Sequence, residues 1–331
     1  MQTINDAIQG LRLGKPQAYQ GLTIFPLLTS DSVEADYLTL DEALEQEQAR
    51  VTEVSARGSV PTLLFQNRGD RNVLIVDGDE LVGAKQNRSV NLSILVPART
   101  KLEIPVSCTE MGRWSSRSGQ FKSKRRSLYS RVRAAKAVHV TRRLRTADGR
   151  FVDQHEVWDD IAACSSDLGV HSTTGSMGDI YEQNDHLLAR YRNAFNTQMG
   201  QVGAVFVVNG RIAGAEYFDS SHTFKGYIDR LVGSYAVSVI LQSGTRSPLP
   251  RPQSVESFLA QIMAAHCESY PALGLGEDLR LSGGVVSGGA LTAEDRLIHM
   301  AVFRIDKKKR QGPPTKQGNK NLSQFQDRLA A

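Results

Sequence analysis

Along this chain the spacing of apolar residues changes period several times, and each change marks an element. Ile4, Ala7, Ile8 and Leu11 recur at helical spacing and predict a short opening helix. Gly21 to Leu28 reads as a strand. Thr39-Leu40-Asp41-Glu42 has capping-box spacing, with Thr39 accepting from the third amide and Glu42 reaching back, so a helix from Leu40 to about Ala49 follows. The period then becomes two. Val51 to Ser55 and Pro61 to Gln66 predict strands, and Val73 to Val76 runs into the tight-turn pair Asp77-Gly78. Ser89 to Val96 alternates, with Val90, Leu92, Ile94 and Val96 on one face. Pro97 to Thr100 turns the chain, and Leu102, Ile104 and Val106 alternate again. Half-buried antiparallel sheet has this pattern, because one face packs and the other meets solvent or ligand.

Further on, helical spacing predicts a helix from Val157 to Leu168, ended by Gly169, and another from Asp179 to about Thr197. Ala204 to Phe218 predicts a hairpin turning at Asn209-Gly210, a pair suited to positive φ at both positions. Phe224, Tyr227, Ile228, Leu231, Val232, Tyr235 and Val239 trace a helical stripe. Ser254 caps a further helix that Pro271 ends, and Leu279 to Ala290 and Arg296 to Ile305 close the fold as strands. The order predicts an α+β fold, an antiparallel β-rich N-terminal half packed with a helical and β-hairpin C-terminal half. Residues 1–110 form the mainly β portion and 148–305 an α+β portion continuous with it. Residues 306–331, with Lys307-Lys308-Lys309-Arg310, Pro313 and Pro314, read as a disordered basic and polar tail.

Charge changes this picture in one place. The 331 residues carry 40 Lys+Arg and 35 Asp+Glu, a net +5. Met111 to Ala147 holds twelve basic residues and no acid, which leaves 28 basic against 35 acidic residues elsewhere. The protein is therefore mildly acidic with one cationic insert at 111–147. With 40% hydrophobic and 23% charged residues, wholesale disorder and fibrous repeats are excluded. Cys108, Cys164 and Cys267 are too scattered for a disulfide framework, and the seven histidines show no ligand spacing, so no metal and no cofactor is expected. The first fourteen residues lack a secretory apolar run, and no apolar stretch approaches the roughly 20 residues that span a bilayer, so the expectation is a cytoplasmic protein without membrane contact.

Two segments concentrate polar chemistry, Asp77 to Arg88 and Ser107 to Trp114, and hairpin pairing of the strands between them places Lys85, Gln86, Asn87 and Arg88 near Cys108, Glu110, Arg113 and Trp114. Lys85, Arg88 and Arg113 suit phosphate, Gln86 and Asn87 suit a base or ribose, Trp114 offers a stacking face, and Glu80 or Glu110 a general base. The same residues also suit a polar network that buttresses a sheet corner. Cys108 reads as a buried, inert thiol, and Gly283-Gly284 and Gly288-Gly289 as bulges or tight crossings rather than a phosphate loop. Glu216 and Asp219 read as solvated surface carboxylates. The insert mixes its cations with Trp114, Phe121 and Tyr129, as nucleic-acid contacts do. It also suits a lid, a mobile loop or a dock for an acidic surface. Arg125, Arg126, Arg142 and Arg143 are its candidate phosphate contacts.

Gly78 to Arg88, Ser93 to Pro97 and Pro105 to Trp114, with Tyr37 to Leu44 before them, resemble the ADP-ribosylglycohydrolase and rhodanese-phosphatase-associated protein domain family, specifically over residues 20–115 and by length to about 305. The resemblance implies an ADP-ribose-like or other NAD-derived nucleotide ligand and identifies no catalytic residue; hydrolysis with Glu80 or Glu110 as base is the reaction that the polar segments themselves suggest. The alternative expectation is a nucleic-acid-binding module acting through residues 113–145.

Overall fold

A computed structural model describes residues 1–55, 58–113, 115, 118–242 and 248–305. The tail expected at 306–331 lies outside them. The chain opens with α1 (Gln2–Gln9), β1 (Arg12–Leu13), β2 (Gln17–Tyr19), β3 (Leu22–Leu28), β4 (Tyr37–Thr39) and α2 (Leu40–Glu45). A β-rich stretch follows with β5 (Ala49–Glu53), β6 (Thr62–Asn67), β7 (Asn72–Ile75), β8 (Asp79–Gly83), β9 (Arg88–Val90), β10 (Ile94–Val96), β11 (Lys101–Cys108) and β12 (Phe121–Ser127). Then come α3 (Ser130–Arg145), α4 (Gln154–Asp167), α5 (Met177–Gln183), α6 (Asp185–Asn193), β13 (Gln201–Val208), β14 (Arg211–Phe218), α7 (Ser221–Leu241) and α8 (Pro252–Met263). The last strands are β15 (His266–Pro271), β16 (Glu277–Gly283), β17 (Val286–Ala293) and β18 (Arg296–Arg304).

This is the expected α+β architecture. A nine-stranded antiparallel sheet runs β1-β3-β13-β14-β18-β17-β16-β15, with β2 also on β3. A six-stranded sheet runs β12-β8-β9-β11-β6-β5, and β10-β7-β4 form a third, in which β4 and β7 are parallel. Three apolar clusters hold these layers. α7, α3 to α6 and one face of the large sheet enclose Phe206, Phe218, Tyr227 and Tyr235. The other face of that sheet packs Phe25, Val205 and Met300 against α1 and α8 through Ile4, Ile8, Phe258 and Ile262. Leu63, Phe65, Ile75, Val90 and Ile104 fill the smaller sheets.

Local chemistry explains several boundaries. Thr39 and Glu42 make the capping box, the Thr39 N–H donating to Glu42 Oε2 at 2.7 Å, although α2 stops at Glu45. Asn209 and Gly210 take φ of 49° and 81°, the positive values a tight hairpin turn requires. Three expectations need correction. Ser89 to Val96 is two strands, because the chain bends at Asn91 and Leu92 and β10 joins β7 while β9 joins β11. The stretch from Asp179 is two helices, α5 and α6, meeting at Asn184, whose side chain donates to the Ile180 carbonyl at 2.9 Å. α8 is capped from Arg251 with Pro252 inside its first turn and ends at Met263, since His266 to Pro271 pairs with β16 instead.

Candidate functional site

The predicted residues meet where β8, β9, β11 and β12 lie side by side. In the β9–β11 pair Arg88 faces Cys108 and Ser89 faces Ser107, which sets residues 84–87 beside 109–113. Glu110 is the hub. Its Oε2 accepts from Arg113 Nη2 at 2.7 Å, from Arg113 Nε at 3.0 Å and from the Asn87 N–H at 3.2 Å, and its Oε1 accepts from the Thr174 hydroxyl at 2.9 Å. Arg113 also donates to the carbonyls of Ala84 (2.6 Å), Ser115 (2.9 Å) and Gly83 (3.4 Å) and to Asn87 Oδ1 (3.1 Å). Gln86 donates to the Met111 carbonyl at 3.2 Å and accepts from Arg88 Nη1 at 3.2 Å. Gln86, Asn87, Arg88, Glu110 and Arg113 are all buried, Lys85 is half-buried, and Trp114 lies outside the described residues. Arg113 thus ties the 83–87 turn to Glu110 with donors that a free phosphate site would keep open. Burial pushes the Glu110 carboxyl up, but the bonds from Arg113, Thr174 and Asn87 outweigh it and hold Glu110 below the ordinary glutamate range.

Glu80, on β8, sits in a different environment. It is fully buried, and among the described residues neither of its oxygens accepts a hydrogen bond. The nearest ion-pair partner is Arg126 Nη1 at 4.0 Å, and that guanidinium donates instead to the Gly178 carbonyl (3.2 Å) and to Glu182 (2.9 Å), lying 5.8 Å from the Tyr181 ring centre. Burial pushes the Glu80 carboxyl up from 4.5 to about 7, with Arg126 pulling more weakly the other way. Two carboxylates are therefore separated by environment: Glu110 is ionised, and Glu80 exchanges its proton near neutral pH.

The structure also gathers charged residues that the sequence reading did not single out together. Arg133 and Lys136, in the middle of the cationic window, are buried. Arg133 donates to Glu216 at 2.6 Å and lies 3.4 Å from Asp77, and Lys136 lies 3.2 Å from Asp77 and donates to the Ser89 hydroxyl at 3.4 Å. Glu216 is wholly buried, and Asp219 is buried and accepts from Tyr37 at 2.5 Å, so neither is the solvated carboxylate expected. The cause is that β14 is covered by α7 and flanked by β18. Alongside, His299 Nδ1 lies 2.9 Å from Ser93 Oγ, which accepts from the Asp77 N–H at 3.0 Å. Burial first, and then Arg133, drives His299 down to about 3, so the ring is neutral. Asp77, Asn91, Ser93, Arg280 and His299 line a cavity of about 20 Å³, room for roughly one water. A third network joins Arg230 of α7 to Asp79 at 2.6 Å and to Asp41, with Tyr227 donating to Asp79 at 3.0 Å. The available signal was polar residues inside apolar runs: Glu216 before Tyr217 and Phe218, His299 between Ile298 and Met300, and Arg230 within the α7 stripe.

Among the described residues, the 111–147 window holds β12 and α3. Arg125 pairs with Glu45, Arg126 with Glu182, Arg131 with Asp160 at 3.4 Å and Arg145 with Glu268 at 2.6 Å. Arg142 is exposed and Arg143 half-buried on the last turn of α3, where the helix dipole favours cations. The acids that answer this window come from the rest of the chain. Cys108 is buried with its thiol pushed up to about 11 by burial, and no group of three or more His, Cys, Asp or Glu residues suited to a metal ion occurs among the described residues. No helix among them is long and apolar enough to cross a membrane.

No curated protein matches the chain, and no solved structure matches it. A family model matches residues 10–303, nearly the whole span from β1 to β18, and includes Glu80, Glu110 and Arg126. The chain belongs to the ARG and Rhodanese-Phosphatase-superfamily-associated Protein domain family.

Proposed function

We propose that this protein binds an ADP-ribose-like or other NAD-derived nucleotide beside Glu80 and hydrolyses it with Glu80 as the proton-transferring group. The observation that carries the reading is the contrast between Glu80, buried and unbonded with its proton exchanging near pH 7, and Glu110, ionised and locked by Arg113. A carboxyl tuned towards the working pH is the state that acid–base catalysis requires. Arg126 is the entry point. It is the most exposed member of the group, and its partner Glu182 is more than half exposed, so a ligand phosphate displaces Glu182 at little cost. Ionised Glu80 then accepts a proton from water as the water oxygen bonds to the ribose carbon. The bond to the leaving group breaks, and Glu80 returns the proton to that group. Glu110 and Arg113 position the 83–87 turn and do not touch the ligand. The family's description, with its first term read as ADP-ribosylglycohydrolase, agrees with this ligand class by association.

The test is thermal stabilisation and calorimetry with ADP-ribose, ADP and NAD. ADP-ribose raises the melting temperature of the wild-type chain, Arg126→Ala abolishes the rise, and Glu80→Gln keeps binding while slowing hydrolysis by about a hundredfold or more. If the whole panel leaves the melting temperature and the isotherm unmoved, the cluster is structural. The nucleic-acid alternative has less support, because two of the window's cations, Arg133 and Lys136, are buried against Glu216 and Asp77 and offer nothing to a surface.

A further inference from the structure

A groove of about 730 Å³ lies between the start of α3, the β13–β14 turn, the end of α7 and the start of α8, with Arg304 of β18 at its margin. That volume falls within the range of small-molecule sites. Arg131, Arg211 and Arg304 are among the residues that line it, and among the described residues no carboxylate does. Arg131 has a half-buried partner in Asp160 at 3.4 Å, whereas Arg211 and Arg304 are exposed and make no ion pair among the described residues. Two of the three arginines on this lining therefore have no acid partner among the described residues, and an anion in the groove lowers their mutual repulsion. The wall is mixed. Val208, Ile212 and Pro250 give it an apolar side, and the hydroxyls of Ser130 and Ser238 bond each other at 2.8 Å beneath. α8 starts here, with Pro250 and Ser254 on the lining and no side chain capping its first turn, so the positive end of its dipole adds to the same field.

We propose that this groove is a second, separate binding site for a small phosphate-bearing organic anion, held by Arg131, Arg211 and Arg304. Guanidinium groups bind phosphate oxygens in pairs, and the apolar wall accommodates the organic part. The site is distinct from the Glu80 cluster and does not depend on the function proposed for it.

The experiment is titration calorimetry of the full chain with pyrophosphate and with ADP, in phosphate-free buffer at low salt. It compares the wild type, the double variant Arg211→Ala/Arg304→Ala, and Arg126→Ala. Pyrophosphate and ADP are expected to bind the wild type, and the double variant to bind pyrophosphate at least about tenfold more weakly. Arg126→Ala, which removes the phosphate contact of the other site, leaves pyrophosphate affinity unchanged. Tighter binding of ADP than of pyrophosphate that persists in Arg126→Ala would show that the apolar wall is used as well. Because both arginines are exposed, the double variant keeps the wild-type melting temperature. Should it not, Arg211→Lys/Arg304→Lys, which keeps charge and loses the bidentate fork, is expected to show the same loss of binding. The proposal is overturned if neither ligand binds at millimolar concentration, if the arginine variants bind as the wild type does, or if only an oligonucleotide binds.

Discussion

Around Arg133, three charged side chains (Arg133, Lys136 and Glu216) are buried beside half-buried Asp77, and each has an opposite charge close by: Glu216 at 2.6 Å and Asp77 at 3.4 Å from Arg133, and Asp77 at 3.2 Å from Lys136. Around Glu80, three residues along the chain from Asp77, one carboxyl is buried as completely and its nearest cation is 4.0 Å away. Gly78, with φ of +91° and its α-carbon so close to Ser127 and Arg133 that a Cβ would lie 2.5 Å from the Ser127 hydroxyl, turns the chain between them. The two settings teach different things. A matched buried network recovers much of its desolvation cost through ion pairs and hydrogen bonds, and serves the fold. An unmatched carboxyl remains a cost to stability at neutral pH, which makes it a candidate for the chemistry proposed above.

The comparison breaks most visibly at Arg133. Arg133→Ala leaves Glu216 buried without its principal cation, while Asp77 keeps Lys136, and urea denaturation is expected to show a loss of about 4 kcal/mol. At Glu80 the effect depends on pH. The folded carboxyl titrates at about 7 instead of 4.5, so between those values the folded chain keeps a proton that the unfolded chain has released. Stability therefore falls as pH rises from about 4.5 to 7, by roughly 3 kcal/mol, and below that window this cost vanishes. Glu80→Gln removes this slope, and denaturation curves of both proteins across the window measure it as a difference. Arg113→Lys keeps a charge beside Glu110 but loses the fork that reaches the carbonyls of Gly83, Ala84 and Ser115; a loss of about 2 kcal/mol is expected in the same assay. Arg125→Ala removes only an exposed pair with Glu45, and the expected change is below about 0.5 kcal/mol.

Much of the fold was legible from local rules. Period-two alternation found most strands, the Thr39 capping box placed the start of α2, and Asn209-Gly210 placed the β13–β14 turn, because each depends on neighbours in sequence. The errors share a cause. Ser89 to Val96 keeps its alternation through a bend at Asn91 and Leu92, after which Ser93 meets Asp77 and His299, and the end of α8 is set by β15 pairing with β16. Such partners lie far away along the chain. The same holds for the site. The approach of residues 84–88 to 108–113 followed from strand pairing, and the β9–β11 register has it. What pairing could not reveal was that Arg113 spends its donors on backbone carbonyls, or that α5 brings Gly178 and Glu182 to Arg126 and draws it away from Glu80. The cationic window shows the same limit. Its charge was plain, but its division into buried Arg133 and Lys136 and surface Arg125 and Arg142 depends on which face of α3 and β12 meets the core.

Titration of Glu80 itself, followed by carbon NMR of the side-chain carboxyl with Glu80→Gln to assign the signal, decides whether this group exchanges its proton near neutral pH. The expected midpoint is near 7, well above the ordinary value of 4.5. A midpoint at or below 4.5 would mean that Glu80 is ionised throughout, with a partner that balances it, and would rule it out as the proton-transferring group.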